Sequence, residues 1–103
     1  MKLTKKEIIK KLQENMDEIK KFGVKRIGIF GSVVRGKAGE KSDIDFVVDF
    51  EEGKITFKNF GGLVEFLENL FGKEVDILTP GGIESIRIKS VREQIKREVE
   101  YVS

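Results

Sequence analysis

The chain of 103 residues contains no cysteine and no histidine. The lack of cysteine excludes disulfide bonds, thiolate nucleophiles and thiolate metal ligands, and the lack of histidine excludes imidazole bases and the usual zinc sites. Any catalysis must therefore use carboxylates, hydroxyls, lysine, arginine or backbone amides. A chain of this length supports one modest core, so residues 1–103 are predicted to form a single domain.

A strong charge of one sign and long apolar runs are also lacking. The 20 Lys and Arg residues against 18 Asp and Glu residues give a net charge of +2, which is too weak a bias to indicate nucleic acid as the direct substrate. No apolar run approaches the ~20 residues of a membrane span, and the lysine-rich start lacks the apolar stretch of a secretion signal. We therefore expect a cytoplasmic protein with no membrane partner. The abundant Lys, Glu and Ile resemble the composition of proteins from heat-loving organisms.

The spacing of apolar residues divides the chain into alternating helices and strands. Recurrence at intervals of three and four predicts amphipathic helices from Thr4 to Phe22, over the segment that ends at Gly72, and around Val91, Ile95 and Val99. A short helix is also expected near Val33 to Arg35. β-Favouring runs predict three strands: Val24 to Phe30, Ile44 to Phe50 and Lys73 to Leu78. The order α-β-α-β-α-β-α indicates an α/β (α+β) fold, with a small mixed sheet of about three strands flanked by helices.

The connections between these strands predict how they pair. The helix between the second and third strands is long enough for a parallel crossover, whereas the first and second strands are joined by a short connection and can run antiparallel. The third strand is expected to close with the turn Thr79-Pro80-Gly81-Gly82. Together these connections favour a mixed sheet.

The first candidate site is the turn Gly31-Ser32-Val33-Val34-Arg35-Gly36. Gly31 lets the backbone turn sharply and approach a ligand, and Ser32 is expected at a helix start, where unpaired N–H groups favour phosphate. A Gly-Ser turn equally suits a strand end followed by a helix cap. Arg35 either pairs with phosphate oxygens in a forked geometry, or is a solvated arginine or a partner for an aspartate. Lys37 and Lys41 in the following loop are interpreted as solvated, with contact to phosphate as the alternative.

Three aspartates form the second candidate site. Asp43 and Asp45 are two positions apart at the start of a strand, so their side chains leave the same face and can hold a divalent cation with oxygen ligands. A solvated strand edge, with Asp43 capping a turn, is the alternative. Asp76 stands in an otherwise apolar strand, where a charge is costly unless it has a partner or a function. If the third strand neighbours the second, the three carboxylates can form one site for two metal ions.

These spaced motifs resemble a known superfamily. The patterns GS-x-x-R-G, S-D-I-D at the head of an apolar strand, and V-D-I-L-T-P resemble the nucleotidyltransferases related to DNA polymerase beta. More closely, the chain is similar to the minimal nucleotidyltransferase (MNT) family, whose small members are paired with HEPN toxins. The likeness runs from about Phe22 to Val102, which is most of the chain. It implies a nucleotidyltransferase fold like the polymerase beta palm.

The resemblance also implies roles for the candidate residues. Gly31 and Ser32 are expected to hold a nucleoside triphosphate, with ATP as the expected donor. Asp43 and Asp45 are expected to bind two magnesium ions, and Asp76 to bind one ion near the acceptor and to serve as a ligand or base. No motif residue is replaced in this sequence.

The function implied is magnesium-dependent transfer of a nucleotide, AMP from ATP, onto an acceptor hydroxyl. Larger relatives carry an added domain for the acceptor, and 103 residues leave no room for one, so another chain is expected to supply it and a hetero-oligomer is expected. A tyrosine of a HEPN-type toxin as acceptor would make the protein an antitoxin. Two alternatives stay open: a non-catalytic antitoxin that occludes its partner, and a transferase that acts on a small molecule.

The remaining aromatic residues are interpreted mainly as core. The phenylalanines between residues 57 and 71 exceed what one apolar stripe needs, so one of them is expected to be exposed for a partner: Phe57, Phe60, Phe66 or Phe71. Tyr101 is expected to be a packed residue of the tail rather than an acceptor.

Overall fold

The computed structural model describes residues 3–36 and 43–102. Its elements, in chain order, are α1 (Lys5–Glu14), α2 (Met16–Lys20), β1 (Val24–Phe30), β2 (Ile44–Phe50), α3 (Phe57–Phe71), β3 (Val75–Leu78), α4 (Pro80–Glu84), α5 (Lys89–Glu98) and β4 (Glu100–Tyr101). The strands form one sheet in the order β3-β2-β1-β4. A mixed sheet flanked by helices confirms the predicted fold class.

Strand directions follow the lengths of the connections. β1 is antiparallel to β2 and to β4, whereas β2 and β3 are parallel and are joined through α3. A parallel pair needs a crossover, and the 15-residue α3 provides it. Both predicted pairings are therefore confirmed. The short β4 was not predicted; it pairs with Gly28 and Ile29 of β1.

The main core lies on one face of the sheet, beneath α1, α2 and α3. Apolar side chains of β1 and β2 alternate toward these helices, and the fully buried members of the cluster are Ile8, Leu12, Ile19, Ile27, Ile29, Phe46, Val48, Leu63 and Leu67. Phe71 and Phe46 pack with ring centroids 5.9 Å apart. This continuous cluster fixes the sheet and so the positions of the strand ends.

The opposite face of the sheet is only partly covered. Phe30, Val47 and Ile83 form a smaller buried cluster, against which Leu78, Ile95 and Val99 pack from β3, α5 and the residue after it. Because side chains alternate along a strand, Asp45 lies on the same face as Val47, and Asp76 lies on the same face as Leu78. The acidic residues thus lie at the end of this partly open face.

Local sequence signals explain where several helices begin and end. Thr4 and Thr56 cap α1 and α3 by accepting the backbone N–H groups of Glu7 and Asn59. Gly72 ends α3 with a positive φ of 65°, a conformation that costs glycine little. Thr79 caps α4 with Pro80 as the first helical residue.

Some local predictions were wrong. The helix expected from Thr4 to Phe22 is divided at Asn15, whose Nδ2 donates to the Lys11 carbonyl at 2.8 Å, because an asparagine side chain competes for helix hydrogen bonds. β3 is closed by Thr79 to Gly82 as predicted, and these residues also begin α4, which was not predicted. Within the described residues, no helix is long and apolar enough to cross a membrane.

Candidate active site

The Gly31 turn lies directly against Asp45. Gly31 follows β1 with a φ of 80°, and a Cβ added at this position would overlap Oδ2 of Asp45. The N–H of Arg35 donates to the Gly31 carbonyl at 3.1 Å, and the N–H of Gly36 donates to the Val33 carbonyl at 3.1 Å. Residues 31–36 therefore form a single turn, and the short helix predicted here is wrong. Half-buried Ser32 belongs to this turn rather than to a helix start.

Asp45 and Asp76 are brought together by the parallel pairing of β2 and β3. They are register partners, flanked by the pairs Ile44 with Val75 and Phe46 with Ile77. Side chains of paired residues on neighbouring strands leave the same face, and the negative charge of Asp76 contributes to the raised pKa of Asp45. The structure thus places these two predicted site residues side by side.

The pKa of Asp45 is raised from 3.8 to about 6. Burial contributes most, because it disfavours the charged form, and the negative charges of Asp76 and Asp43 add to the shift. The charge of Arg35 acts in the opposite direction. Asp45 therefore lies within the electrostatic reach of every other charged residue that the sequence assigned to the site.

Asp43 and Asp76 are exposed to solvent. Asp43 directly precedes β2, two positions before Asp45, and its negative charge adds to the raised pKa of Asp45. The exposure of Asp76 corrects one step of the sequence argument, since its charge is not buried in the apolar strand. Among residues 3–36 and 43–102, no three acidic side chains converge into a ready-made cation site.

Arg35 pairs with Glu98, a residue that the sequence analysis missed. Arg35 Nη1 donates to Oε1 and Oε2 of Glu98 at 2.8 and 3.0 Å. The sequence analysis considered phosphate binding, solvation and pairing with an aspartate for Arg35, but it did not consider an ion pair with a glutamate. The sequence carries a weak signal for Glu98, because it is an acid in the last turn of α5, where the helix dipole disfavours negative charge, but this signal does not identify Arg35 as its partner. Lys37 and Lys41 lie outside the described residues.

The other end of the same sheet face carries an open depression of about 400 Å³. Arg26 and Tyr101 line it, and the Arg26 guanidinium lies 3.9 Å from the centroid of the Tyr101 ring. Arg26 is paired with Asp49, four residues along β2 from Asp45. Tyr101 belongs to β4 and is exposed, at 37%, which corrects the expectation that it is a packed residue of the tail. The depression is therefore separate from the aspartates.

Comparison with known proteins decides the family. A family model for the nucleotidyltransferase domain matches residues 6–102. The chain belongs to the nucleotidyltransferase domain family. Metal dependence is typical of this family. Among curated nucleotidyltransferases, the protein adenylyltransferase MntA of Thermococcus cleftensis is 43% identical to this chain over 101 residues, which are 97% of each protein.

Solved structures share the nucleotidyltransferase fold. A candidate minimal nucleotidyltransferase matches with a TM-score of 0.66 at 34% identity, over 89% of this chain and 93% of that chain. A chain of the complex between the tri-AMPylated HEPN toxin of Shewanella oneidensis and an MNT antitoxin matches with a TM-score of 0.53 over 88% of this chain and 71% of that chain. At 18% identity, this second likeness shows the fold alone. The predicted family and fold are confirmed, whereas the roles of individual residues stay predictions.

Proposed function

We propose that this nucleotidyltransferase transfers AMP from ATP to a tyrosine hydroxyl of a HEPN-type toxin and thereby acts as its antitoxin. One observation carries the proposal: the Asp45 and Asp76 pair lies against the glycine turn that ends β1. The likeness to a protein adenylyltransferase over 97% of the chain supports a protein as acceptor. The AMPylated HEPN toxin in the solved complex supports a HEPN-type toxin as the class of acceptor protein.

The donor set fits a divalent magnesium ion. Paired carboxylates are hard oxygen ligands, and the pKa of Asp45 is raised first by burial and then by the negative charges of Asp76 and Asp43, which a bound cation would offset. We assign Asp43 and Asp45 to two magnesium ions and Asp76 to one of them. When bound, two ions offset the negative charge that develops on the phosphoryl oxygens and the departing pyrophosphate.

The turn after β1 is assigned to the triphosphate. Because Gly31 has no side chain, its backbone can approach the phosphates next to Asp45. Ser32 offers a hydroxyl donor, and the Arg35 guanidinium offers a planar set of N–H donors suited to phosphate oxygens. These groups hold the nucleotide against the aspartates and orient its α-phosphorus toward the acceptor.

Solvent exposure of Asp76 and Asp43 suits an acceptor supplied by another chain. A tyrosine hydroxyl from a partner can approach Asp76 from solvent without entering a closed pocket. Asp76 can then orient that hydroxyl or take its proton. We accordingly propose that the working unit is a hetero-oligomer of this chain with its toxin.

Label transfer tests the proposal. The protein is incubated with magnesium, ATP labelled at the α-phosphate and a purified HEPN-type protein, and we expect label on the toxin. Replacing Asp43 and Asp45 together by Asn keeps side-chain size but removes the metal-binding charge, so transfer should fall by at least about 1,000-fold. Asp49→Asn is the matched control, since Asp49 lies on the same strand beside Arg26, and it should keep full transfer.

Binding and protection of cells separate catalysis from occlusion. The doubly substituted protein should still co-elute with the toxin but should no longer protect cells that express it. Full protection without label transfer would show that occlusion is the working mechanism. Label on a small molecule instead of the toxin would contradict the assigned acceptor.

A further inference from the structure

Glu98 accepts hydrogen bonds from two groups that the proposed function assigns to the triphosphate site. Its Oε2 accepts the Gly31 backbone N–H at 3.4 Å, and both of its oxygens accept Nη1 of Arg35. Glu98 ends α5, 67 positions from Gly31 in sequence. The contact therefore joins the end of a helix to the candidate phosphate turn.

The Glu98 carboxylate is itself firmly held. Gln94, one helical turn earlier, donates from Nε2 to Oε1 at 2.9 Å, and the Glu98 side chain is only 15% exposed. Its neighbour Val99 packs on the second apolar cluster together with Ile95. Burial raises the pKa of Glu98, but the hydrogen bonds from Gln94 and Arg35, the Arg35 charge and the Gly31 N–H outweigh it, so the net pKa is lowered. Glu98 is thus a fixed anion.

We propose that Glu98 is a positioning residue of the nucleotide site, which holds the Arg35 guanidinium beside the Gly31 turn in the orientation that receives the triphosphate. This inference rests on the proposed function, because it takes the triphosphate to bind at that turn. Glu98 acts through Arg35 and contacts no reacting atom.

The geometry favours positioning over competition with the nucleotide. Both hydrogen bonds from Arg35 to Glu98 use a single guanidinium nitrogen, Nη1. Nε and Nη2 lie outside this contact, and an arginine fork can serve two anions through different N–H groups. Arg35 is 42% exposed, and a long exposed side chain without a fixed partner loses rotamer freedom when a ligand orders it. Ordering Arg35 in the folded protein removes that cost from nucleotide binding.

Affinity for magnesium ATP, measured by calorimetry, tests the inference without an acceptor. Glu98→Ala should weaken binding by about tenfold, the effect expected from releasing one ordered side chain. Glu98→Gln keeps an oxygen acceptor for Arg35 and should stay within about threefold of the parent protein. Glu84→Ala is the matched control, because it removes an ion pair with Lys96 at 2.9 Å, and it should leave the affinity unchanged.

A double-mutant cycle shows whether Glu98 acts through Arg35. Arg35→Ala should weaken binding, and adding Glu98→Ala to it should produce no further loss. Equal losses from Glu98→Ala with and without Arg35 would overturn the positioning role, as would unchanged or tighter binding by Glu98→Ala alone. Thermal melts confirm that each variant is folded. If Glu98→Ala does not fold, the affinity of Glu98→Gln for magnesium ATP still tests the inference.

The two hypotheses fail in different ways. Normal binding by the parent protein with no effect of Glu98→Ala overturns only the positioning role. Absence of magnesium ATP binding by the folded parent protein overturns the nucleotide site itself, and the positioning role with it.

Discussion

Asp45 and Asp76 are register partners on the parallel strands β2 and β3, and the negative charge of Asp76 helps to raise the pKa of Asp45. The shift of the Asp45 pKa to about 6 places the loss of its proton just below neutral pH. Above that pH the two carboxylates repel each other, and a bound cation removes the repulsion.

The first prediction concerns stability and pH. The pKa of Asp45 is about 6 in the folded protein against an ordinary value of 3.8, so the folded state binds this proton more tightly and stability falls as pH rises through that window. The loss of stability reaches its full size above the pKa that Asp45 has in the folded protein. Because Asp45 is partly solvated, we expect Asp45→Asn to raise the free energy of unfolding by about 1 kcal/mol at about pH 7.5 and to leave it nearly unchanged at about pH 4.

Urea unfolding of the parent and variant at both pH values measures this difference. Asp49→Asn serves as the control on the same strand; it removes a contact with Arg26 at 3.5 Å and should give no gain at either pH. A gain from Asp45→Asn that is equally large at both pH values would contradict the assigned titration.

The second prediction concerns metal and nucleotide together. A triphosphate and the aspartates repel each other unless cations lie between them, so ATP should bind measurably only with magnesium. Protonation of Asp45 removes one of the charges proposed to bind the cation, so magnesium-dependent binding should weaken as pH falls below about 6. Calorimetry with ATP, with and without magnesium, measures both effects. Equal affinity under the two metal conditions would show that the aspartates do not bind the nucleotide through metal.

The third prediction concerns the contact between the glycine turn and Asp45. Gly31→Ala introduces a side chain at a φ of 80° and into the space of Asp45 Oδ2. We expect a loss of about 3 kcal/mol in stability, together with lower ATP affinity, because backbone strain and displacement of Asp45 add. Gly53→Ala is the control: its φ is 76°, but an added Cβ meets nothing within 4 Å. It should cost about 1 kcal/mol and leave ATP affinity unchanged.

Much of the fold could be predicted because local patterns and long-range packing agree. β1 and β2 begin and end where the β-favouring runs do, since Gly31 stops the first run and the apolar positions of both strands fill the cores on the two faces of the sheet. β4 could not be predicted, because two residues carry no periodicity and their pairing depends on Gly28. A Cβ at Gly28 would lie 2.8 Å from the Glu100 carbonyl, so this close approach is visible only in three dimensions.

The candidate site, like the fold, could be predicted only in part from the sequence. The motif spacing indicated Asp45 and Asp76 as partners, and the parallel register of β2 and β3 brings them together. Glu98 was missed because it lies 63 positions from Arg35, and no local pattern links an acid at a helix end to a distant turn. Residues that act through long-range ion pairs leave little trace in a single sequence.

The last prediction concerns Phe57, which is fully exposed at the first position of α3. Phe60, one helical turn later, packs on Phe50 instead, with ring centroids 6.3 Å apart. The Phe57 ring is therefore not needed for packing, and a fully buried phenylalanine serves as the comparison. We expect Phe57→Ser to change the free energy of unfolding by less than about 0.5 kcal/mol, because no buried apolar contact is lost. Phe46→Ala, at a position that is 0% exposed, should cost about 3–5 kcal/mol.

Urea unfolding compares these variants, and co-elution with the HEPN-type toxin examines the expectation that one phenylalanine of this segment faces a partner. If Phe57 is that residue, Phe57→Ser should weaken toxin binding although its stability is unchanged, because exposed aromatic rings are frequent anchors of protein interfaces. Unchanged toxin binding would place the interface elsewhere. A loss of stability above about 1 kcal/mol would instead show that the Phe57 ring packs against the protein in solution.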